Sequence, residues 1–119
     1  MINIDGTTIN ITRGDKGVIT FTLEDEEKFA KGDILELSVY EKSKLDEEPV
    51  LTSSTIIAEE TNFADIELTS EQTKIGDYIN KPVTYWYEIE LNGNQTLIGY
   101  DEDGAKEFIL YPEGKEVDS

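Results

Sequence analysis

The chain has 119 residues and a formal net charge of −17, from 27 acidic and 10 basic side chains. Because a surface of this charge repels nucleic-acid phosphate and anionic lipid, we expect neither nucleic acid nor membrane as a partner. The chain has no histidine and no cysteine, which excludes a Ser-His-Asp triad, a thiolate nucleophile, a disulfide framework and a zinc site with the usual ligands. The length predicts one domain over 1–119, with loosely ordered ends at 1–7 and 113–119.

The residue types favour β-structure. Ile, Val and Thr together are more than twice as numerous as Ala, Leu and Met. Branching at Cβ disfavours the helix and suits the pleated surface of a sheet. The composition therefore predicts an all-β domain.

Strands separated by turns are predicted along the first half of the chain. Apolar side chains alternate there with polar ones, which is the pattern of a half-buried strand. The segments with this pattern are 9–12, 16–23, 34–42, 50–57 and 63–68. Arg13-Gly14-Asp15 is predicted to turn the chain, and Phe29 is predicted to anchor the charged connection 24–33.

A short helix or helical turn is predicted near 70–79. Thr69 and Gln72 have the spacing of a capping box, in which the threonine accepts a hydrogen bond from the backbone and the glutamine reaches back. Apolar side chains follow at helical spacing, and Gly76 and Pro82 limit the length of the helix.

The segment 83–100 is predicted to be a β-hairpin around which the rest of the fold is organised. Its first strand alternates apolar or aromatic residues at odd positions with polar residues and Trp86 at even positions. Asn92-Gly93 is the pair that most readily forms a type I′ turn. A loop of two or four residues places Ile98 and Tyr100 on the face of the odd positions, whereas a loop of three residues places glutamates beside Ile98.

A tight turn at 101–104 and a final strand at 107–111 complete a predicted set of about seven to nine strands. Short strands with turns between them are typical of a β-sandwich. Three tyrosines of the hairpin are predicted to lie in its core, because an aromatic strand of period two packs against neighbouring strands. They are Tyr85, Tyr87 and Tyr100.

The other face of the hairpin holds the candidate interaction residues. Trp86 and Leu97 are placed among acidic side chains on that face. A large apolar side chain there either packs under another element or contacts a partner. We therefore predict a protein interface at Trp86 and Leu97. The alternative is a carbohydrate-binding module that uses Trp86 and nearby tyrosines.

Three short patterns have ordinary structural explanations. Paired carboxylates hydrolyse glycosides in some enzymes, but an acidic chain produces such pairs by chance, so we expect no enzyme, no catalytic residue and no cofactor. The turn Asp101–Gly104 resembles a calcium loop, which would indicate a calcium-dependent adhesion domain. Leu110 stands where that loop requires glutamate, so we expect a plain turn and no metal. Arg13-Gly14-Asp15 matches the integrin-binding tripeptide, and turn chemistry is the preferred explanation.

Four segments resemble, in order, those of one family. They are RGD followed by VITFTL within 13–23, LTSEQT at 68–73, PVTYWYEIEL at 82–91 and EFILYPE at 107–113. The last three are similar to the segments LT-x-E-x-T, PGTYYYDIEL and GKFTVLPE of small Ig-like all-β proteins from phages and prophages of Gram-positive bacteria. The N-terminal domain of phage baseplate upper proteins is one such protein. The chain departs from the pattern at Val83, where the family often has glycine, and in extra residues around 76–81.

This resemblance implies an Ig-like antiparallel β-sandwich that serves as a structural component of a phage or prophage tail or baseplate. Its mechanism would be protein–protein association with other assembly proteins or with itself, and no catalytic residue is carried over. The first residues lack the basic start and apolar stretch of a signal peptide, and no apolar run approaches a membrane span. The expected location is the bacterial cytoplasm before assembly and the virion afterwards.

Overall fold

Nine β-strands and no helix make up the described part of the chain. The computed structural model describes residues 2–5 (backbone only), 7–24, 26–43, 47–102 and 104–113. The strands are β1 (Ile2–Asp5), β2 (Thr8–Thr12), β3 (Gly17–Thr22), β4 (Ile34–Tyr40), β5 (Leu51–Ile56), β6 (Phe63–Leu68), β7 (Val83–Leu91), β8 (Gln95–Ile98) and β9 (Lys106–Tyr111). The all-β prediction is confirmed. Strand β1 occupies part of the end that was predicted to be loosely ordered, and 114–119 lie outside the described residues.

The strands form two sheets that pack face to face. The large sheet has the strand order β1-β2-β9-β7-β4-β5, with β8 beside β7, and the small sheet is β3-β6. The order β9-β7-β4 opposite β3-β6 is that of strands G-F-C opposite B-E in immunoglobulin-type sandwiches. One pair corrects the antiparallel prediction, because β2 runs parallel to β9, with Ile9 opposite Phe108. The strands between them supply the long crossover that a parallel pair requires.

The core lies between the sheets and follows the alternation of the strands. In β7 the odd positions point inward, and Tyr87 and Ile89 are buried. The hydroxyl of Tyr87 donates a hydrogen bond to the backbone carbonyl of Thr7, and burial raises the pKa of Tyr87 to about 12. Phe29 is fully buried, as predicted, and it fixes the charged connection between β3 and β4.

The hairpin of β7 and β8 has a three-residue loop and a β-bulge. Asn92 and Gly93 adopt φ angles of 54° and 72°, which are those of the predicted type I′ turn. Ile98 nevertheless lies opposite Ile89, because the register shifts by one residue in β8 at Leu97. The bulge restores the parity that a three-residue loop alone would reverse. The expectation that such a loop places glutamates beside Ile98 was therefore wrong.

Two of the three tyrosines predicted to lie in the core do so. Tyr85 and Tyr87 are buried, whereas Tyr100 is 67% exposed. Strand β8 ends at Ile98, and the chain bends at Gly99. The alternation of the strand therefore does not extend to Tyr100, and the prediction for this residue was wrong.

The short helix or helical turn predicted near 70–79 does not form. The two capping-box hydrogen bonds are present: Gln72 N donates to Thr69 Oγ1 at 3.1 Å, and Thr69 N donates to Gln72 Oε1 at 2.9 Å. They close an isolated turn, because Gly76 takes a left-handed φ of 67° that ends any helical path. The backbone carbonyls of Ile75 and Gly76 accept hydrogen bonds from Arg13 instead of from a following turn of helix.

Candidate functional site

The outer face of the large sheet carries the predicted interface residue Trp86. Its register places it between Tyr40 on β4 and Glu107 on β9, and its side chain is half-buried. Tyr40 donates a hydrogen bond from its hydroxyl to Glu88 Oε2 at 3.1 Å. Burial, followed by this hydrogen bond, raises the pKa of Tyr40. The patch is thus a Trp–Tyr pair among carboxylates.

Leu97, the second predicted interface residue, does not join this patch. It sits at the β8 bulge and packs, half-buried, against the core. Tyr85 and Tyr87 are buried on the inner face of β7, so they cannot stack on a ligand beside Trp86. Tyr40 is the aromatic residue directly opposite Trp86 on the outer face, and it is itself buried.

A second surface, which sequence reasoning missed, is a groove where β5 ends and β6 begins. Its volume is about 530 Å³, and its lining includes the side chains of Ile56 and Phe63. These two apolar side chains are 66% and 49% exposed. Ile34, the cross-strand neighbour of Ile56, is also exposed and extends the apolar surface. We call this surface the β5–β6 groove.

Acidic side chains surround the β5–β6 groove. The four carboxylates that line it all belong to exposed residues: Glu59, Glu60, Asp65 and Glu67. One of them, Asp65, accepts a hydrogen bond from Thr20 Oγ1 at 2.6 Å. The groove therefore combines an apolar lining with a negative rim.

The sequence contains a partial signal for the β5–β6 groove. In β6 the inward positions are the even ones, so parity alone places Phe63 on the outer face. Ile56 and Ile57 are adjacent, and alternation requires that one of them points outward. Their proximity to Phe63 depends on how the chain passes from one sheet to the other, for which the sequence contains no local signal.

The tripeptide Arg13-Gly14-Asp15 is a structural joint. The Arg13 side chain is only 11% exposed and forms an ion pair with Glu113 at 3.1 Å. Its other donors bind the backbone carbonyls of Ile75 and Gly76. An arginine whose three nitrogens are all bound within the protein is not available to a receptor, so the turn explanation holds.

Thr73 completes this joint from the opposite side. It is fully buried, and its hydroxyl accepts a hydrogen bond from Gly14 N at 3.0 Å and donates to the carbonyl of Asp15 at 2.7 Å. We call Arg13, Thr73 and Glu113 together the Arg13 joint. It ties the turn after β2, the turn after β6 and the segment after β9.

The acidic turn near 101–104 shows no cation site in its described part. Asp101 Oδ1 accepts a hydrogen bond from Lys106 Nζ at 2.7 Å, and Gly104 N donates to the carbonyl of Asp101 at 2.8 Å. Asp103 lies outside the described residues. Across the ranges that the structure describes, no three acidic side chains gather as metal ligands do.

Within the same ranges, no helix is present that has the length and hydropathy to cross a membrane.

Comparison of the chain with protein-family models, with curated proteins and with solved structures finds no match in any of the three. The likeness to phage proteins therefore rests on the four sequence segments quoted above.

Proposed function

We propose that this protein is a non-enzymatic structural module that acts by protein–protein association. The observation that carries the proposal is the exposure of Ile56 and Phe63 in one acid-rimmed groove. Contiguous exposed apolar surface rimmed by polar residues marks interaction sites in soluble proteins. The partner is a neighbouring subunit that presents an apolar side chain flanked by lysine or arginine.

Charge supports this choice of partner. The chain carries a net charge of −17, and four carboxylates surround the β5–β6 groove. A basic partner is attracted over the range of the surface potential, whereas acidic proteins, including further copies of this chain, are repelled. We therefore place a different, basic subunit in the groove.

The finer proposal is that the assembly is a phage or prophage tail or baseplate. Its support is the resemblance of the four segments and the Ig-like strand order of the two sheets. The edges of the sheets add a second means of association. Strands β1 and β5 are the outer strands of the large sheet, and both strands of the small sheet are edges; an edge strand can extend the sheet of a neighbour.

The test uses purified particles and groove variants. Mass spectrometry of induced phage particles should find the protein, and cross-linking should join the β5–β6 groove to a basic subunit. The double variant Ile56→Thr/Phe63→Thr should be depleted from the particles. Val18→Thr, the same kind of change at another exposed apolar strand position, should assemble normally. Absence of the wild-type protein from particles contradicts the tail assignment. Equal incorporation of the double variant and of Val18→Thr contradicts a role of the β5–β6 groove in assembly.

The Trp86 patch supports a second candidate, a carbohydrate-binding module. An exposed aromatic ring stacks on the apolar face of a sugar, and neighbouring carboxylates accept hydrogen bonds from its hydroxyl groups. Here Tyr40 and Glu88 are the residues that accompany Trp86. Glycan-array binding that is lost in Trp86→Ala and kept in the groove double variant supports this candidate. Trp86→Ala should leave the fold intact; weaker incorporation into particles without any glycan binding assigns Trp86 to the protein interface.

A further inference from the structure

Strand β3 has an open edge. Within the described ranges it pairs with β6 alone, so one side of the strand has no neighbour in its sheet. Leu23 N donates a hydrogen bond to Asn62 O, which continues the β3–β6 ladder by one residue. Backbone groups alternate between the two sides of an antiparallel strand. The N–H and C=O groups of Val18, Thr20 and Thr22 therefore face the open side, where a further strand can bind them.

This edge lacks the features that protect edge strands from pairing, which are charges, prolines and bulges. The strand has the sequence GVITFT, and its six residues pair with β6 in unbroken register. The edge of β5, in contrast, is occupied by side-chain hydrogen bonds. Gln72 Nε2 donates to the carbonyl of Thr52 at 2.9 Å, and Ser53 Oγ donates to the carbonyl of Glu67 at 2.6 Å.

Two half-buried apolar side chains lie along the open edge. Phe21 and Leu23 pack against the core, as the buried Ile19 does, but both keep part of their surface in contact with solvent. A strand added beside β3 covers this surface from the inner face of the sheet. The pairing therefore combines backbone hydrogen bonds with the burial of apolar area.

The charges that flank β3 favour a second copy of the same strand as its partner. Exposure alternates along the segment 16–24, and the even positions are the exposed ones. Lys16 and Glu24 thus share the outer face with Thr20, four positions before it and four after it. When two such strands pair antiparallel with Thr20 opposite Thr20, each Lys16 lies opposite the Glu24 of the other copy. Directly opposite charges of unlike sign stabilise an antiparallel pair.

We infer that β3 pairs antiparallel with β3 of a second copy of this chain, around a two-fold axis at Thr20. Val18 then lies opposite Thr22 of the other copy, and the two small sheets join into one sheet of four strands. The register is consistent with the backbone, because these three residues all direct their hydrogen-bonding groups to the open side. The inference rests on the proposed mode of action, protein–protein association, and adds a surface and a partner to it.

The net charge opposes this pairing and gives it a distinctive salt dependence. Two copies that each carry a charge of −17 repel one another, and salt screens this repulsion. The backbone hydrogen bonds and the burial of Phe21 do not depend on that screening. Self-association through β3 should therefore strengthen as the salt concentration rises, whereas binding of a basic subunit in the β5–β6 groove should weaken.

The oligomeric state of the full chain is the first test. Sedimentation equilibrium should show a monomer–dimer equilibrium that shifts toward the dimer at high salt. A protein that stays monomeric at every salt concentration, up to its highest soluble concentration, overturns the inference. A dimer that weakens with added salt overturns it as well.

Charge-reversal variants test the register. Lys16→Glu and Glu24→Lys each place like charges opposite one another, so each should dimerise roughly tenfold more weakly than the double variant Lys16→Glu/Glu24→Lys. The double variant keeps the net charge of the wild-type protein and should dimerise as it does. A mixture of the two single variants should form the mixed dimer in preference to either homodimer, because both opposed pairs are then of unlike sign. Equal dimer affinities of the single and double variants contradict the pairing of Lys16 with Glu24.

Cysteine cross-linking locates the two-fold axis. The chain has no cysteine, so Thr20→Cys introduces a single thiol. It lies opposite its own copy at a Cα separation of about 5.5 Å, which a disulfide accepts. Thr22→Cys is the matched control, because the two copies of that position are roughly 14 Å apart in this register. Oxidation should cross-link the first variant and not the second; equal cross-linking of both overturns the inference.

The groove variants separate this inference from the assembly proposal. Ile56→Thr/Phe63→Thr changes neither β3 nor its flanking charges, so the double variant should dimerise like the wild-type protein. Val18→Thr keeps a β-branched residue and every backbone hydrogen bond, and it should dimerise normally too. Loss of the groove variant from particles with an unchanged dimer supports both proposals. A monomeric wild-type protein that still enters particles contradicts the pairing of β3 alone.

Discussion

The two ends of the small sheet are built in opposite ways. At one end, the Arg13 joint connects three distant segments through partly buried, directional hydrogen bonds. At the other end, the β5–β6 groove leaves Ile56 and Phe63 in contact with solvent. A side chain with several intramolecular partners stabilises the fold, whereas an apolar side chain left exposed is free for intermolecular contact. The comparison separates residues that hold the protein together from residues that are available to a partner.

The largest expected effect is at Arg13. Arg13→Ala leaves the Glu113 carboxylate and two backbone carbonyls without their donor, and we expect the free energy of unfolding to fall by about 3 kcal/mol. Arg13→Lys keeps the charge but loses the planar fork of donors, so it should retain only part of that stability. Urea denaturation of the three proteins measures both differences. A loss below about 1 kcal/mol in Arg13→Ala would show that the joint is not structural.

Thr73→Val should have the next largest effect. Valine keeps the shape but removes the hydroxyl that accepts a hydrogen bond from Gly14 N and donates one to the carbonyl of Asp15. We expect a loss of about 2 kcal/mol, the desolvation penalty of buried unpaired groups. Thr73→Ser, which keeps the hydroxyl, is the matched control and should lose less. Equal stability of the valine variant and the wild-type protein in thermal and urea unfolding contradicts this role for the hydroxyl.

An intermediate effect that depends on pH is expected at Tyr87. Its pKa is about 12 in the folded protein against 10.0 ordinarily, so the unfolded chain releases this proton first as the pH rises. The stability that the neutral phenol of Tyr87 contributes is fully present below pH 10 and is lost as the pH rises toward 12. Tyr40 and Tyr85, whose pKa values are also raised, act in the same direction.

Tyr87→Phe isolates the contribution of that residue. It loses the hydrogen bond to the carbonyl of Thr7, so we expect it to be about 1 kcal/mol less stable at pH 8. Between pH 9 and 11 the wild-type protein should lose more stability than the variant, and the difference between them should shrink. Urea denaturation of both proteins at these pH values measures the difference in their free energy of unfolding. A difference that stays constant with pH contradicts the raised pKa of Tyr87.

The smallest effect on stability is expected in the groove. Ile56→Thr and Phe63→Thr replace exposed side chains by a good strand former, so each should change the free energy of unfolding by no more than about 0.5 kcal/mol. The same variants should lose partner binding in the cross-linking experiment. A loss above about 1.5 kcal/mol in urea denaturation would instead assign these side chains to the core and remove the contrast between the two ends.

Much of the fold is predictable from local alternation. The strands, the inward faces of β6 and β7 and the outward position of Trp86 follow from period-two patterning. The parallel pairing of β2 with β9 does not, because neither strand carries a local signal for its distant partner. The bulge at Leu97 and the exposure of Tyr100 also escape prediction, since one inserted residue changes which face a side chain occupies.

The functional surfaces are less predictable for the same reason. The hydrogen-bond acceptors of Arg13 are 62, 63 and 100 residues away in the sequence. The tripeptide 13–15 therefore predicts a turn but does not indicate these distant contacts. Phe63 is outward by parity alone. That Phe63 lies beside Ile56 and forms a groove with it depends on how the two sheets pack, which the local sequence does not determine. The interface at Trp86 remains a prediction, and Leu97 packs against the core.

The parallel pair of β2 and β9 also governs how the protein can be made. During synthesis, β2 leaves the ribosome before β9 and must wait for it, because Ile9 and its partner Phe108 are 99 residues apart in the chain (108 − 9). Until then its neighbour β1 can pair with it as a hairpin, but the large sheet stays open on that side. Closure over so long a stretch of chain is slow, so completion of the large sheet waits until β9 fills the gap between β2 and β7.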